Sequence, residues 1–552
     1  MKSAVTRFWD LPELVKMVLL YSPQQTIARL MRVNKTLYRS GPSVLYRKIC
    51  SYEARRIFSS AEGIRGISKH AEHVQSIALS KEVCDRYIIA VSKSIDSSSS
   101  SSSSSSPRGR GVVAVFPPFL NLTTFSYDFT CPYGFSNSQS EADIKNGDIL
   151  KSVALALRTC PRLVSVELGH VVIDNEDDIN PLCRTIAGLK MLETFDLTLL
   201  IPKVVLNDDI VAKLFFSFPQ SIKSASVVVT PRYGYNGSDA EAVDDDDGDD
   251  GCSPDLPRRK EPLRNLTSWH AQFPKGFQAN TVLDMINHCP ELVSLEVPFI
   301  RRGQFGEHVS LRIVDSCPKL ANLSLHFDDN CDICTSLMTD IINRMPPNTL
   351  QSIFVEGYHD NHTALADSIQ RHYSSLVKIE FEETKQFNGY FLETILHGCQ
   401  VLEVLTVDGK RAECLEVRLK DVLPYKWVSK SLRELRFAVQ FPNMRELDAM
   451  VVPSGSKYGV ITEEQKKGNT PLGRLYRKIR FLKNLEILQL QLSLEDWNES
   501  LNFTSLGPGF LSGGEAKSDR PLTYVRYETL KELKRNPMYG WASDSEGDSS
   551  SS

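Results

Sequence analysis

No stretch of this chain approaches the eighteen or so consecutive apolar residues of a membrane span. Its first ten residues, MKSAVTRFWD, lack the apolar run and small-residue cleavage site of a secretory signal. A protein of the cytoplasm, the nucleus or both is expected. Neither sign of charge is in excess: 64 Lys and Arg stand against 68 Asp and Glu, for a net charge of −4. That balance excludes a broad electrostatic footprint for nucleic acid or for a membrane surface. Cysteine is sparse, twelve in 552 residues, and Cys160, Cys289, Cys317 and Cys399 recur at one place in a repeated pattern. They read as small buried hydrophobes in a reducing compartment, not as disulfide partners. Walker loops, G-x-S-x-G and H-E-x-x-H are all missing. Cys331 and Cys334 form a C-x-x-C with no second pair at zinc-ribbon spacing, and the eleven histidines are scattered. No catalytic residue, metal ligand or cofactor is therefore expected, and the chain reads as a non-enzyme.

What the chain does have is one phrase repeated. Cys289-Pro290-Glu291-Leu292-Val293-Ser294-Leu295-Glu296-Val297 is a turn followed by L-x-x-L-x-L. The same skeleton recurs at Leu163/Val166/Leu168, Leu192/Phe195/Leu197, Ile222/Ala225/Val227, Leu266/Trp269/Ala271, Leu320/Leu323/Leu325 and Leu350/Ile353/Val355. It continues at Leu376/Ile379/Phe381, Leu402/Leu405/Val407, Leu432/Leu435/Phe437 and Leu485/Leu488/Leu490, with weaker copies at Val74/Ile77/Leu79, Leu122/Phe125/Tyr127 and Leu522/Val525/Tyr527. Uninterrupted copies are spaced by roughly 26 to 30 residues, the leucine-rich-repeat range. The alternation of apolar and polar residues makes each copy a short strand with one buried face. Segments such as 282–288 and 339–345 supply the helical return. One unit cannot bury its own leucines, but stacked units can. The fold class expected is an α/β leucine-rich-repeat solenoid, a horseshoe whose parallel sheet lines the concave side.

The repeats are expected over residues 51–535, interrupted near 94–112, 232–260 and 444–471. The first interruption is a serine tract, too polar to repay the entropy of ordering. The second holds the acidic run 244–250 and then Pro257-Arg258-Arg259-Lys260, a short basic tetrad of the kind seen in nuclear-localisation signals. The third carries Val452-Pro453-Ser454-Gly455-Ser456. Residues 528–534 read as a capping helix, and 536–552 as an acidic, serine-rich disordered tail open to phosphorylation.

Residues 1–50 have another character. Asp10 and Glu13 have capping-box spacing with Pro12 in the first turn. Leu11, Leu14, Val15, Val18 and Leu19 form an apolar stripe ending at Ser22-Pro23, and Ile27, Leu30, Met31 and Val33 form a second. A module of about 40 residues needs outside support to stay folded, from a partner, from the repeats or from both. Leu11-Pro12-Glu13-Leu14, Val33-Asn34-Lys35 and Leu45-Tyr46-Arg47-Lys48-Ile49 resemble an F-box, the motif that docks a substrate receptor onto the Skp adaptor of a cullin-RING (SCF) ubiquitin ligase. The chain departs from the usual family residues at Asn34, Leu37 and Leu45-Tyr46 while keeping apolar bulk at most positions. The resemblance implies a small all-α module and a receptor whose repeats hold a target protein. It further implies that Leu11, Pro12, Val15, Leu30, Val33, Leu45 and Tyr46 sit against the Skp adaptor, with the cullin scaffold beyond. The alternative is a leucine-rich-repeat scaffold unconnected with ubiquitination, its N-terminal helices only a cap.

In each repeat the residue between the last two apolar positions points away from the core, as do its neighbours two positions either side. On this pattern Glu167, Asp196, Glu296, Phe354, Glu380, Glu382, Asp408 and Arg436 are the residues expected to meet a target. Acids outnumber bases, with Lys378 and Arg436 the main exceptions. Two readings stay open: a face for a basic segment with Phe354 as apolar anchor, or strand residues that are polar only to remain hydrated.

Overall fold

The structure, a computed structural model, describes residues 11–80, 83, 118–128, 146–173, 175–201, 209–231, 259–272, 277–297, 307–326, 334–356, 362–382, 387–408, 415–416, 427–441, 458–459, 482, 484–485, 487–494, 497–505 and 525–526. Asp10, the serine tract, the acidic run, Cys331, the segment 528–534 and the tail 536–552 lie outside them. The chain divides into two compact units, one of Met1–Leu292 with Pro298–Gln304 and one of Val293–Val297 with Phe305–Ser552.

The first unit opens with four short helices: α1 (Pro12–Leu20), α2 (Gln24–Val33), α3 (Lys35–Ser40) and α4 (Pro42–Leu45). Leu11, not Asp10, is the N-cap of α1, and it makes no side-chain cap bond. Pro12 stands at the first helical turn, where its missing N–H costs no helix bond. Asn34 separates α2 from α3 and caps the latter, its Oδ1 accepting from Thr36 N at 2.7 Å and Leu37 N at 3.4 Å. Gly41 permits the next turn, since a Cβ there would stand 2.7 Å from the Leu37 carbonyl oxygen and 2.5 Å from Met31 Cγ. The core of this module is Val15, Leu19, Ile27 and Leu37, with Leu30, Met31, Val44 and Leu45 packed against it.

Lys48–Ile49, counted with the helical module in the sequence reading, are strand β1 of the sheet. They pair in parallel with β2 (Ser76–Ser80) across α5 (Ser51–Phe58) and α6 (Ala61–Lys69). Parallel pairing continues through β3 (Thr124–Asp128), β4 (Ser165–Val172), β5 (Thr194–Ile201), β6 (Ser224–Pro231) and β7 (Ser268–Gln272). The register sets Ile77, Phe125, Val166, Phe195, Ala225 and Trp269 in one row. Leu79, Tyr127, Leu168, Leu197, Val227 and Ala271 form the next, and both rows are buried. The repeat read from spacing is therefore the repeat in space. Buried residues of α7 (Asn146–Arg158), α8 (Asn180–Gly188), α9 (Asp209–Phe216) and α10 (Ala279–Ile286) complete this interior. Phe215 meets Trp269 edge-on at 5.1 Å, and Phe195 meets Phe218 at 5.4 Å.

The turns stack as regularly as the strands. Thr123 and Thr124 both donate their backbone N–H to the Gln75 carbonyl, Val164 and Ser165 to Thr123, Glu193 and Thr194 to Val164, and Thr267 and Ser268 to Lys223. Side chains serve further acceptors: Asn121 Nδ2 donates to the Glu72 carbonyl, Asn265 Nδ2 to that of Gln220, and Ser221 Oγ to that of Leu192. No buried turn can leave its peptide groups unpaired without cost, and these bonds tie each repeat to the one before it.

The second unit repeats the scheme with β8 (Ser294–Val297), β9 (Asn322–His326), β10 (Ser352–Glu356), β11 (Lys378–Glu382), β13 (Val404–Asp408), β15 (Glu434–Phe441) and β17 (Ile487–Leu494), all parallel. The helices α11 (Glu307–Ser316), α12 (Cys334–Arg344), α13 (His362–Gln370) and α14 (Gly389–Gly398) lie between strands in sequence. The two-residue strands β12 (Phe387–Asn388) and β14 (Leu415–Glu416) pair beside them. Two expectations need correcting. The sheet is not wholly parallel, because β18 (Trp497–Ser505) returns antiparallel on β17. The weak copy at Val525 does not join the stack: β19 (Val525–Arg526) pairs antiparallel with β16 (Tyr458–Gly459), which itself lies within a stretch read as a loop.

Candidate interaction surfaces

The N-terminal module has too many apolar residues for its size. Leu11, Leu14, Met17, Val18, Leu20, Tyr21, Val33 and Tyr38 are exposed, eight of the fourteen large exposed hydrophobics among the described residues. Of the first apolar stripe, only Val15 and Leu19 are buried, because a nine-residue helix turns just one narrow face to α3 and α4. Residues expected to meet the Skp adaptor divide accordingly. Leu11 and Val33 are exposed, Val33 by 78%. Val15 is 0% exposed and serves the module's own core, so it is not a surface contact. Leu30 and Leu45 are partly buried against that core, and Pro12 is described by its backbone only. Tyr46 stacks on His70 at 4.6 Å, and Arg47 Nε donates to Gln75 Oε1 at 2.9 Å, so this end of the module is held by the first repeat. Burial there raises the Tyr46 pKa and lowers that of His70. Leu14, Met17, Val18 and Tyr21 were missed as surface residues. The signal was in the sequence, since apolar positions 11 to 21 occupy more of the helix circumference than one stripe.

The sheet face turned away from the buried rows holds the other expected residues. In the first unit Glu167 is in register with Asp196, and both are exposed. Around them run hydroxyls, with Ser76, Thr124, Ser165, Thr194, Ser224 and Ser268 consecutive in one row. In the second unit Glu296, Ser324, Phe354, Glu380, Thr406 and Arg436 form one row, and Glu356, Glu382 and Asp408 form the next. Two carboxylates there are engaged within their own strands: Lys378 Nζ lies 2.6 Å from Glu380 Oε2. Arg436 Nε lies 2.5 Å from Glu434 Oε1, close enough to pair charges though not aligned as a hydrogen bond. The expected acidic face is therefore less acidic at Glu380 than its letters suggest, and Arg436 is not a lone cation.

Other polar groups are structural. Cys160, Cys289, Cys317 and Cys399 are buried, and burial pushes the thiols of Cys317 and Cys399 up to about 12, out of reach of thiolate chemistry at neutral pH. His372, fully buried, accepts from Leu350 N at Nδ1 and faces the Ile342 carbonyl with Nε2, which assigns it the neutral Nε2–H tautomer. Arg259 of the basic tetrad is held by the carbonyls of Phe218 and Glu261, so it is part of the fold. Among the described residues no group of three His, Cys, Asp or Glu is arranged to hold a metal ion, and no helix is long and apolar enough to cross a membrane.

No family model and no curated protein matches this chain. Among solved structures it is similar to the yeast Rad7 and Elc1 complex, at 13% identity and TM-score 0.37 over 76% of this chain and 93% of that one. It is also similar to the leucine-rich repeat-containing protein LegL7 from Legionella pneumophila, at 10% identity and TM-score 0.27 over 61% of this chain and 86% of that one. The repeat architecture itself rests on the register of the strands.

Proposed function

We propose that this protein is the substrate-recognition subunit of an SCF-type cullin-RING ubiquitin ligase, with its N-terminal module docked on the Skp adaptor and its repeats holding a target protein. The observation that carries the reading is the exposure of Leu11, Leu14, Met17, Val18 and Val33 on a module that already has its own core. An apolar surface of that kind is stabilised by a partner, and Leu11, Leu14 and Val33 within it are among the residues that resemble an F-box. The receptor is non-catalytic and needs no cofactor. It works by proximity, raising the concentration of target lysines near a conjugating enzyme. Its place of work is the cytoplasm, the nucleus or both.

The test is capture of the Skp adaptor by the full chain. Leu14→Asp with Val33→Asp is expected to abolish capture and leave the unfolding midpoint of the repeats unchanged. Absence of capture by the unaltered chain would refute the reading. The second reading, a scaffold whose helices only cap the repeats, is favoured by the pairing of β1 with β2 and by the Tyr46–His70 stack. It predicts that deleting residues 11–45 destabilises the first unit and removes no partner.

A further inference from the structure

The helical module is basic in a chain that is not. Residues 11–50 hold seven Lys and Arg against one acid, Glu13, whereas the whole chain carries −4. Arg47 is held by Gln75, and Lys48 lies in β1. Arg29, Arg32, Lys35 and Arg39 are exposed, and none of the four has an ion-pair or hydrogen-bond partner among the described residues. Their spacing groups them. Ile27 is the buried residue of α2, and Arg29, Arg32 and Val33, at i, i+3 and i+4, lie together on the side turned from it. Lys35, Tyr38 and Arg39 repeat that spacing on α3, where Leu37 is the buried residue. Each exposed apolar side chain thus has two uncommitted cations beside it. Like charges at these spacings destabilise a helix, a cost to the free module that an anionic surface removes.

On α1 the exposed residues are of another kind. Leu11, Leu14, Val18 and Tyr21 run at spacings of three and four as one stripe beside the buried Val15 and Leu19. A nucleic-acid backbone would pair with the cations of α2 and α3 and leave that stripe in water. A bilayer would cover the stripe and Met17, but Glu13 stands one turn from Met17 and its carboxylate would be carried down to anionic headgroups. A protein surface meets both demands, with aliphatic groups for α1 and carboxylates for α2 and α3, while Glu13 stays in water.

We propose that the protein covering this module presents an acidic surface, its carboxylates paired with Arg29, Arg32, Lys35 and Arg39 and its aliphatic groups laid on Leu14, Val18 and Val33. The inference rests on the reading of the module as a docking part and names the chemistry of what docks. The cations steer the encounter and make it salt-dependent, and the apolar contacts set how long the complex lasts.

The test uses the full chain and a fluorescein-labelled amphipathic peptide of glutamate and leucine, with a lysine and leucine peptide of the same pattern as its counterpart. Anisotropy and stopped-flow rates are measured at low and at physiological ionic strength. The glutamate peptide is expected to bind, more weakly as salt is raised, and the lysine peptide not to. Arg29→Gln with Arg32→Gln, and Lys35→Gln with Arg39→Gln, should each slow association about threefold to tenfold and flatten its salt dependence. Glutamine keeps the helix propensity, so the unfolding midpoint stays unchanged, and Arg29→Lys with Arg32→Lys should restore the rate. Leu14→Ser with Val18→Ser should quicken dissociation about tenfold and keep the salt dependence. Lys151→Gln with Lys190→Gln, exposed cations of the repeats, should leave both rates within about twofold. Equal binding of the two peptides, no binding of the glutamate peptide, or equal loss from the repeat variant would each overturn the proposal. So would phosphatidylserine vesicles or duplex DNA binding through these four cations more tightly than the glutamate peptide. Capture of the Skp adaptor is measured on the same samples. Its failure with the unaltered chain would strike the receptor reading and leave the peptide result standing, whereas capture undiminished by all four glutamine substitutions would strike the acidic-partner inference and leave the receptor reading standing.

Discussion

The helical module and the strand–helix repeats solve opposite problems. In the repeats, apolar side chains face inward in two continuous rows, and each repeat covers its neighbour's leucines. The module is too small for that. Four helices of ten residues or fewer enclose Val15, Leu19, Ile27 and Leu37 and leave eight large apolar side chains exposed. Burial in the repeats is therefore explained by stability alone, whereas the apolar exposure on the module is what the proposed docking would cover.

The comparison breaks most sharply at single side chains. Phe195→Ala, removing a ring buried between strand rows and Phe218, is expected to cost the first unit about 3 to 5 kcal/mol in denaturant unfolding, while Met17→Ala should change stability by less than about 0.5 kcal/mol. If Met17→Ala were as damaging, the module's outer face would be core after all. A middle effect belongs to Asn34, whose carboxamide caps α3: Asn34→Ala should cost about 1 kcal/mol and be seen as lost protection of Thr36 and Leu37 amides in hydrogen exchange.

The smallest effect is on pH and sharpens the same contrast, because it depends on depth of burial. His372 has its pKa lowered, chiefly by burial, so the folded chain binds fewer protons there than the unfolded chain. Its contribution to stability is whole above the unfolded value near 6.5 and is lost as pH falls below it through the folded value. Thermal unfolding of the second unit should therefore weaken between neutral and mildly acidic pH, and His372→Gln should flatten part of that slope. An unchanged slope would mean that the imidazole is not the group responsible.

Much of the fold was legible because period and spacing are local. A leucine two residues from the next, with a proline or small turn residue ahead, can only be a strand edge entering a core, and the rows from Ile77 to Trp269 run as the triplets read. The buried cysteines at Cys160, Cys289, Cys317 and Cys399 followed from the same repeat position. The antiparallel return of β18 on β17 did not, since strand direction depends on how the chain closes after the repeat has ended. The surface was read less well. Val15 was placed on a docking face and lies in the core, because two apolar stripes on one short helix look alike until neighbouring helices choose between them. Glu380 read as an available carboxylate, but Lys378 two residues earlier on the same face claims it.

The amino-acid sequence alone determined that the chain is a strand-and-return repeat preceded by a short helical module, because hydrophobic periodicity is set by the geometry of the backbone and needs no partner to be seen. Tertiary structure decided which of the module's apolar residues are left outside and which charges are cancelled by neighbours. It also decided that the Thr406 hydroxyl, without a hydrogen-bond partner among the described residues, lies in register between Glu380 and Arg436, each paired on its own strand. The first depends on how short neighbouring helices pack, and the register of Thr406 with Glu380 and Arg436 on residues some 30 positions apart, which only the stacking of one repeat on the next brings within reach.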